Sequence, residues 1–599
     1  MKSTQLVIIA LLAILFVHAN ATTGTLSGSY RKDFYLKDYH ESLKSYTTPT
    51  DGGRVNLVLQ GSSCNLDGIK SIKINSQEAT NLPYDKDDKN PPDFTYFDWA
   101  RYHSDKQSNV LWILFHSRNT KWLDSSDTPT LQVEVSDDKG QCYQGNVKVT
   151  VKPGVTVTYA TTANQGLDFI VHFSGSGTLN NYAINGVATT GKPITVSSNH
   201  TTIVSFKQSI AMTPGRIWSV TYDNSMGYGG RVIPERFPIE AWPNSNDCPV
   251  PGAEKTNEKD YDTIKSLGID SIFLCDDQCG DKAATADSLA EKNLPFTVML
   301  KAKEISNTKN QTKIVGVYIG DEVDGDMNNN LRNTDPKQMN DAYPQLPTYQ
   351  GGKTNSHIGS YSGITDIQGM DAYIGACAPT IVPVIKPLPV NYPYLYLKNT
   401  RNNHMPLPTW LYSQLYSDAW SYQPNANEIV SQITQTILAG GKGITLFQSK
   451  QDDFNQHDLK PIAQILNSIQ GVKESIRTGS IGGAQIQDSG EPVMYEAIRT
   501  PNKLVFVVLN TKAHGYSNLI CHIYIAGKHW NWAKQTVSKF EMEIPAGMKL
   551  SNFSEQIGTK VNTKPDGVDV QISGNKVTLK NMDLDDKNVA RIFTFDISQ

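Results

Sequence analysis

Three textures of apolar and polar positions succeed one another along the chain. Between residues 22 and 150, short segments such as VNLVLQG, NVLWILFHS and LQVEVSD are separated by polar turns, the pattern of strands in antiparallel sheets. Residues 151–228 repeat it in VTVTYATT, LDFIVHFSG, TTIVSFKQ and IWSVTYDN. The pattern predicts two consecutive β-sandwiches, 22–150 and 151–228, the second immunoglobulin-like. In the first, the order Cys64, Trp112, Cys142 also resembles an immunoglobulin-like sandwich.

Near residue 230 short apolar runs begin to alternate with helical spacings, the mark of βα units. Eight runs are strand candidates: Phe237–Trp242, Ser271–Cys275, Phe296–Leu300, Ile314–Ile319, Leu346–Tyr349, Ile367–Tyr373, Leu407–Tyr412 and Gly443–Phe447. Helices are predicted over Asp260–Leu267, Ala284–Lys292, Pro336–Ala342, Asn427–Leu438 and Leu459–Ile476. The count and the length, residues 229–478, fit a (β/α)8 TIM-like barrel. Two helical joints are weak, because 302–312 is polar and 355–363 is rich in Gly and Ser. The long Pro-rich connection Ala378–Pro393 reads as a lid or rim loop in place of a standard helix. Strand patterns return in KLVFVVLN, FEMEIPA, KVTLKN and ARIFTFDIS. The fold class expected is therefore multidomain: a TIM-like barrel between N-terminal and C-terminal β-sandwich domains, the last over 479–599.

Composition narrows the class. Hydrophobic residues at 38% and charged residues at 19% are ordinary for a globular protein. A net charge of -4 without a basic block argues against a nucleic-acid partner. Residues 1–21 read as a signal peptide: Lys2, an apolar stretch from Leu6 to Val17, then Ala19-Asn20-Ala21. No later segment is apolar enough for a membrane span. The expected location is secreted, extracellular or lysosomal-lumenal. Of seven cysteines, Cys64 and Cys142 are the best disulfide pair, since both lie in one β-rich region. Sequons place glycosylation candidates at Asn199, Asn310 and Asn552.

In such barrels the working groups gather at the C-terminal ends of the strands. Those ends offer Glu240, Trp242, Asp276, Asp277, Lys301, Lys303, Asp321, Glu322, Tyr349, Asp371, Tyr373, Gln414, Tyr416, Gln448 and Lys450. The set is rich in carboxylates, amides and aromatics. It holds no histidine cluster and no serine elbow, which excludes metallohydrolase and esterase chemistry. Nothing in it requires a metal or a cofactor. Asp324-x-Asp326-x-Asn328 lacks the glycine of a calcium loop and reads as a hydrated acidic loop. Strand alternation puts Glu322 and Asp321 on opposite sides. It groups Asp371 and Tyr373 with Gly369, and Trp410 and Tyr412 with Gln414.

The segment GVYIGDEVDG at 316–325 resembles the fourth strand of clan-A-type glycoside hydrolases, in which an Asn/Asp-Glu pair ends the strand. The resemblance implies a sugar-cleaving barrel with Glu322 as acid/base and Asp321 beside it. Asp371 is the candidate base or nucleophile. Trp242, Tyr318, Tyr373, Trp410 and Gln414 are the candidate substrate contacts, and the partner is a carbohydrate. This chain departs from the pattern at strand seven, where the family's retaining mechanism needs a Glu and Gln414 stands. Two functions follow as expectations: a secreted glycoside hydrolase, or a carbohydrate-binding or cell-surface glycoprotein on a glycosidase-like barrel.

Overall fold

The computed structural model describes residues 23–37, 46–79, 99–117, 129–150, 153–189, 192–223, 225–243, 264–274, 282–291, 297–320, 336–352, 361–372, 391–415, 424–449, 458–514 and 531–598. The signal-like segment lies outside these residues, as do Cys248, Cys275, Cys279, Cys377 and Cys521. Eight parallel strands close into a barrel in sequence order: β1 (Ile239–Pro243), β2 (Ser271–Leu274), β3 (Thr297–Lys301), β4 (Ile314–Gly320), β5 (Thr348–Gln350), β6 (Ile367–Asp371), β7 (Thr409–Gln414) and β8 (Ile444–Ser449). β8 closes onto β1 through the pairs Ile239–Ile444 and Trp242–Phe447. Each of the eight candidate runs becomes a barrel strand. Both faces of a parallel strand are buried, so the runs are predominantly apolar.

The described helices are α1 (Lys282–Glu291), α2 (Ala302–Ile305), α3 (Pro336–Ala342), α4 (Tyr392–His404), α5 (Ala426–Leu438) and α6 (Leu459–Thr478). α5 begins with a capping box: Glu428 N–H donates to Asn425 Oδ1 at 2.9 Å and Asn425 N–H to Glu428 Oε2 at 2.7 Å. α6 buries Ile462, Ile465, Leu466, Ile469, Val472 and Ile476. Each such side chain contributes about 1.5–3 kcal/mol. Most of the Pro-rich connection, through Val390, lies outside the described residues; α4, which the spacing does not predict, begins at Tyr392. Its inner face is Tyr392, Leu395, Tyr396 and Leu397 against Met370, Ala372 and Leu411. Buried Asn399, Thr400 and Asn403 mask that face in the sequence; Thr400 and Asn403 satisfy their polar atoms on carbonyls of their own helix.

The flanking sheets are antiparallel. The N-terminal pair has the orders Thr25–Lys37, Tyr46–Gln60, Val110–Ser117, Trp99–Asp105 and Gln77–Glu78, Ser71–Ile74, Thr130–Asp137, Gly140–Lys148. The Cys64–Cys142 disulfide ties them together. A second β unit packs Phe169, Phe173, Trp218 and Tyr222 into its core; its strand Met226–Arg231 runs past residue 228. At the C-terminal end a five-stranded sheet faces a four-stranded one across Phe506, Phe540, Phe593 and Phe595.

Two central strands are buried on both faces. In Val110–Ser117, Leu111, Ile113 and Phe115 enter the sandwich core. Val110, Trp112 and Leu114 pack on the barrel side with Ile272, Leu300 and Val317. Trp112 therefore points away from the disulfide, and the Cys-Trp-Cys order is not the immunoglobulin arrangement. In Lys503–Asn510, Leu504, Phe506 and Val508 enter the C-terminal core. Val505, Val507 and Leu509 meet α5 and α6.

A buried charge cluster locks the N-terminal side. Asp366, just before β6, accepts from Arg101 Nη2 at 2.7 Å and from Arg231 Nη1. It also accepts from Thr348 N–H at 3.0 Å. Arg101 further donates to Gly363 O and Ile364 O at 3.0 and 2.7 Å. Burial raises the pKa of Asp366, but Arg231 and Arg101 outweigh it and hold the carboxyl below its ordinary value. That stability is present above the ordinary carboxylate pKa and is lost as pH falls through the depressed one. Asp366→Asn leaves two guanidinium groups buried without a counter-charge, so a loss of about 3–5 kcal/mol is expected. A urea midpoint at pH 7 equal to the parent's would refute this account.

Candidate functional site

Pairing register decides which side chains enter the barrel. Glu240, Ser271 and Thr445 share one side, as do Trp242 and Phe447 one pleat further along. Phe273 and Met299 join them across β2 and β3. Tyr318 and Tyr349 follow on β4 and β5, and Asp371, Trp410, Tyr412 and Gln414 on β6 and β7. An eight-stranded lumen is narrow enough for side chains to fill it. Here aromatics do so. Trp242 meets Phe273 and Phe447 edge-on at 4.6 and 4.8 Å, and Phe273 meets Tyr318 at 4.7 Å. Glycine makes the room: a Cβ at Gly316 would lie 2.0 Å from the Tyr349 ring, and one at Gly369 2.4 Å from that of Tyr412.

This packing defines where each candidate stands. Trp242 and Tyr318 are 6% and 1% exposed and form the aromatic layer below the mouth. Trp410, 1% exposed, stacks on Tyr349 at 4.4 Å. It lies deeper, near Pro238, Pro347 and Pro408 at the N-terminal ends of the strands. Asp371 ends β6 on the lumen side, half-buried, with its N–H donated to Gly352 O at 2.9 Å. Gln414 ends β7, fully buried. Gln432 of α5 brackets its backbone, accepting from Gln414 N–H at 3.1 Å and donating to Gln414 O at 3.3 Å. Asp371 and Gln414 are thus brought to the same side and the same end. Asp321, Glu322 and Tyr373 lie outside the described residues, as do Asp276, Asp277 and Tyr416. β4 is described to Gly320, the residue before Asp321.

Among the other candidates, Asn199 and Asn552 are exposed and Asn310 is half-buried. In the C-terminal domain Trp532 is buried, with its Nε1–H donated to Asn510 O at 2.9 Å. Among the described residues no cluster of His, Cys, Asp and Glu fits a metal ion. No described helix is long and apolar enough to cross a membrane.

Glu240 is not at a strand end. It lies one pleat below Trp242, accepting from Thr445 Oγ1 at 3.1 Å and Ser271 Oγ at 3.3 Å, with Arg236 Nη2 at 3.5 Å. Burial pushes its pKa up to about 7 against the opposing pull of Arg236 and Thr445. Beneath an aromatic layer it has no route to a substrate at the mouth, and its effect is on stability.

No protein-family profile matches the chain, and no curated relative matches it. Among solved structures, it is similar to a GH30 endoxylanase from Clostridium papyrosolvens C71, with 11% identity, TM-score 0.33, and coverage of 61% of this chain and 97% of that one. A maltogenic amylase from S. marinus gives 10% identity and TM-score 0.33 over 82% and 96%. A family 39 glycoside hydrolase from Bacteroides cellulosilyticus WH2 gives 10% and 0.31 over 74% and 97%. Likenesses this distant carry no argument about chemistry. The barrel rests on its own strand pairing.

The raised pKa of Glu240 carries a sign. The folded state favours the neutral carboxyl, so its contribution is complete below the ordinary value of 4.5 and is lost as pH rises towards about 7. The difference is on the order of 3 kcal/mol. Glu240→Gln should flatten the fall in urea midpoint between those pH values; an unchanged slope would place its origin elsewhere.

Proposed function

We propose that this chain is a secreted glycoside hydrolase whose site lies at the C-terminal mouth of the barrel. The observation that carries the reading is Asp371, a half-buried carboxylate on the lumen side at the end of β6. The sequence supplies a second carboxylate, Glu322, two residues beyond the end of β4. β5 stands between β4 and β6, and in this reading the two carboxylates act from opposite sides of the sugar with a water between them, the inverting arrangement.

In the proposed reaction Glu322 donates a proton to the glycosidic oxygen as the C–O bond breaks. Asp371 takes a proton from the water that attacks the anomeric carbon on the opposite face. Asp321 and Tyr373 would contact the sugar at the rim. Trp242 and Tyr318 would support the floor of the site from below, and Trp410 would act only through packing. The substrate is an oligo- or polysaccharide.

Gln414 favours a second reading. An amide ends β7 where the retaining enzymes that the sequence resembles need a carboxylate, and a barrel that binds sugar without cleaving it would tolerate that amide.

The test is hydrolysis of a broad glycoside and polysaccharide panel by the full secreted chain. Glu322→Gln and Asp371→Asn should each lower kcat by roughly 100-fold or more, and the first product should have the inverted anomeric configuration by NMR. Full activity in Glu322→Gln would remove that residue from the mechanism. Binding on a glycan array without turnover would select the second reading.

A further inference from the structure

At the opposite end of the barrel from the mouth lies a cavity of about 140 Å³, far above the roughly 10–15 Å³ that one water needs. The second β unit contributes Thr158 and His172 to its wall, the barrel Arg401, Thr409 and Lys442, and the segment after α6 Gly479 and Ser480. Two of these side chains, Arg401 and Lys442, are basic, and no carboxylate lines the cavity.

The acids nearby are committed elsewhere. Glu474 pairs with Arg477 at 2.6 Å. Glu496, the acid whose charge acts on Arg401, lies outside the cavity lining and accepts from Gly482 N–H at 2.8 Å and Ala497 N–H at 2.9 Å. The cavity donors, by contrast, are only partly used. Lys442 Nζ sits 4.6 Å over the Tyr159 ring and gives two of its three N–H groups to Ile476 O and Gly479 O, both at 2.7 Å. Arg401 Nη1 donates to Ala439 O at 2.9 Å and Nη2 to Asn402 Oδ1 at 3.4 Å, while its buried Nε has no partner among the described residues. The Thr409 hydroxyl, on a residue 1% exposed, has none either. Buried donors are nearly always satisfied, so unused ones around an electropositive cavity call for an acceptor.

We propose that this cavity binds one small tetrahedral oxyanion, sulfate or phosphate, on Lys442, Arg401 and Thr409. The ion would supply the acceptor atoms and the negative charge that the wall lacks. It would also bridge the barrel to the second β unit and to the start of the C-terminal sandwich.

Electrostatics give the site a pH signature. Lys442 faces Tyr159 and His172 from the second β unit, Arg401 from α4 and Arg477 from α6. Burial, then Arg401 and Arg477, press its ammonium down to about 7. Burial and Lys442 hold His172 neutral, with a pKa near 3. Anion binding should therefore weaken as Lys442 loses its proton.

The experiment is equilibrium dialysis of the full chain against labelled sulfate, whose charge is constant from pH 6 to pH 8, in a fixed chloride background. Expected are saturable uptake of one sulfate per chain, competition by inorganic phosphate, and at least several-fold weaker binding at pH 8 than at pH 6. Lys442→Met should weaken binding tenfold or more. Thr409→Val, which keeps the shape and should leave the thermal midpoint in sulfate-free buffer unchanged, should weaken it several-fold. A cavity that holds water only would show no saturable uptake at millimolar sulfate, and that result overturns the proposal. So does uptake that Thr409→Val leaves unchanged.

Discussion

A parallel barrel must bury the whole of its outer face, and much of this molecule follows from how that demand is met. On the side of α5 and α6 the helices are amphipathic and long enough. Among the described residues the helices between β3 and β6 are short: α2 spans Ala302–Ile305 and α3 spans Pro336–Ala342. The N-terminal sheet packs over this side as well. Val58, Trp99, Val110, Trp112 and Leu114 join one apolar cluster with Ile272, Leu300, Val317 and Leu346 of the barrel. The ion cluster around Asp366 then fixes the register of that contact. A buried ion pair contributes little net stability against an apolar substitute. Its value here is directional, because Arg101 and Arg231 come from two different β units and converge on one carboxylate.

The same burial logic explains the flanking sandwiches. Each presents one central strand that is apolar on both faces, with alternate residues in its own core and the others against the barrel. The sandwiches are thus part of the barrel's packing. Removing either would expose a continuous apolar face, which soluble proteins rarely leave open.

Inside the barrel, aromatic side chains rather than branched aliphatic ones fill the lumen, and glycines at 316 and 369 make the space. The filled lumen separates two chemistries. Above it Asp371 and Gln414 face the mouth. Below it Glu240 is sealed from that mouth, and further out the cationic cavity of Lys442 and Arg401 faces the second β unit. Two ends of one barrel therefore carry unlike electrostatics without interfering.

Much of this was legible in the sequence. The eight barrel strands, α5, α6, the flanking β domains and the Cys64–Cys142 pair follow from periodicity, composition and chain position, because strand and helix burial write themselves into spacing. α4 did not, because polar residues buried in its own hydrogen bonds broke the apolar pattern. Trp112 and Trp410 show the further limit. A sequence says that a tryptophan sits in a strand and on which side of its neighbours, but not what lies against that side. Register across the closed barrel sent Trp410 below the aromatic layer, and docking of the N-terminal sheet turned Trp112 away from the disulfide. By itself the sequence determined which segments are strands and where carboxylates follow them. Only the tertiary structure decided which side chains share a lumen, a mouth or a cavity, because those neighbours come from positions hundreds of residues apart and no local spacing encodes them.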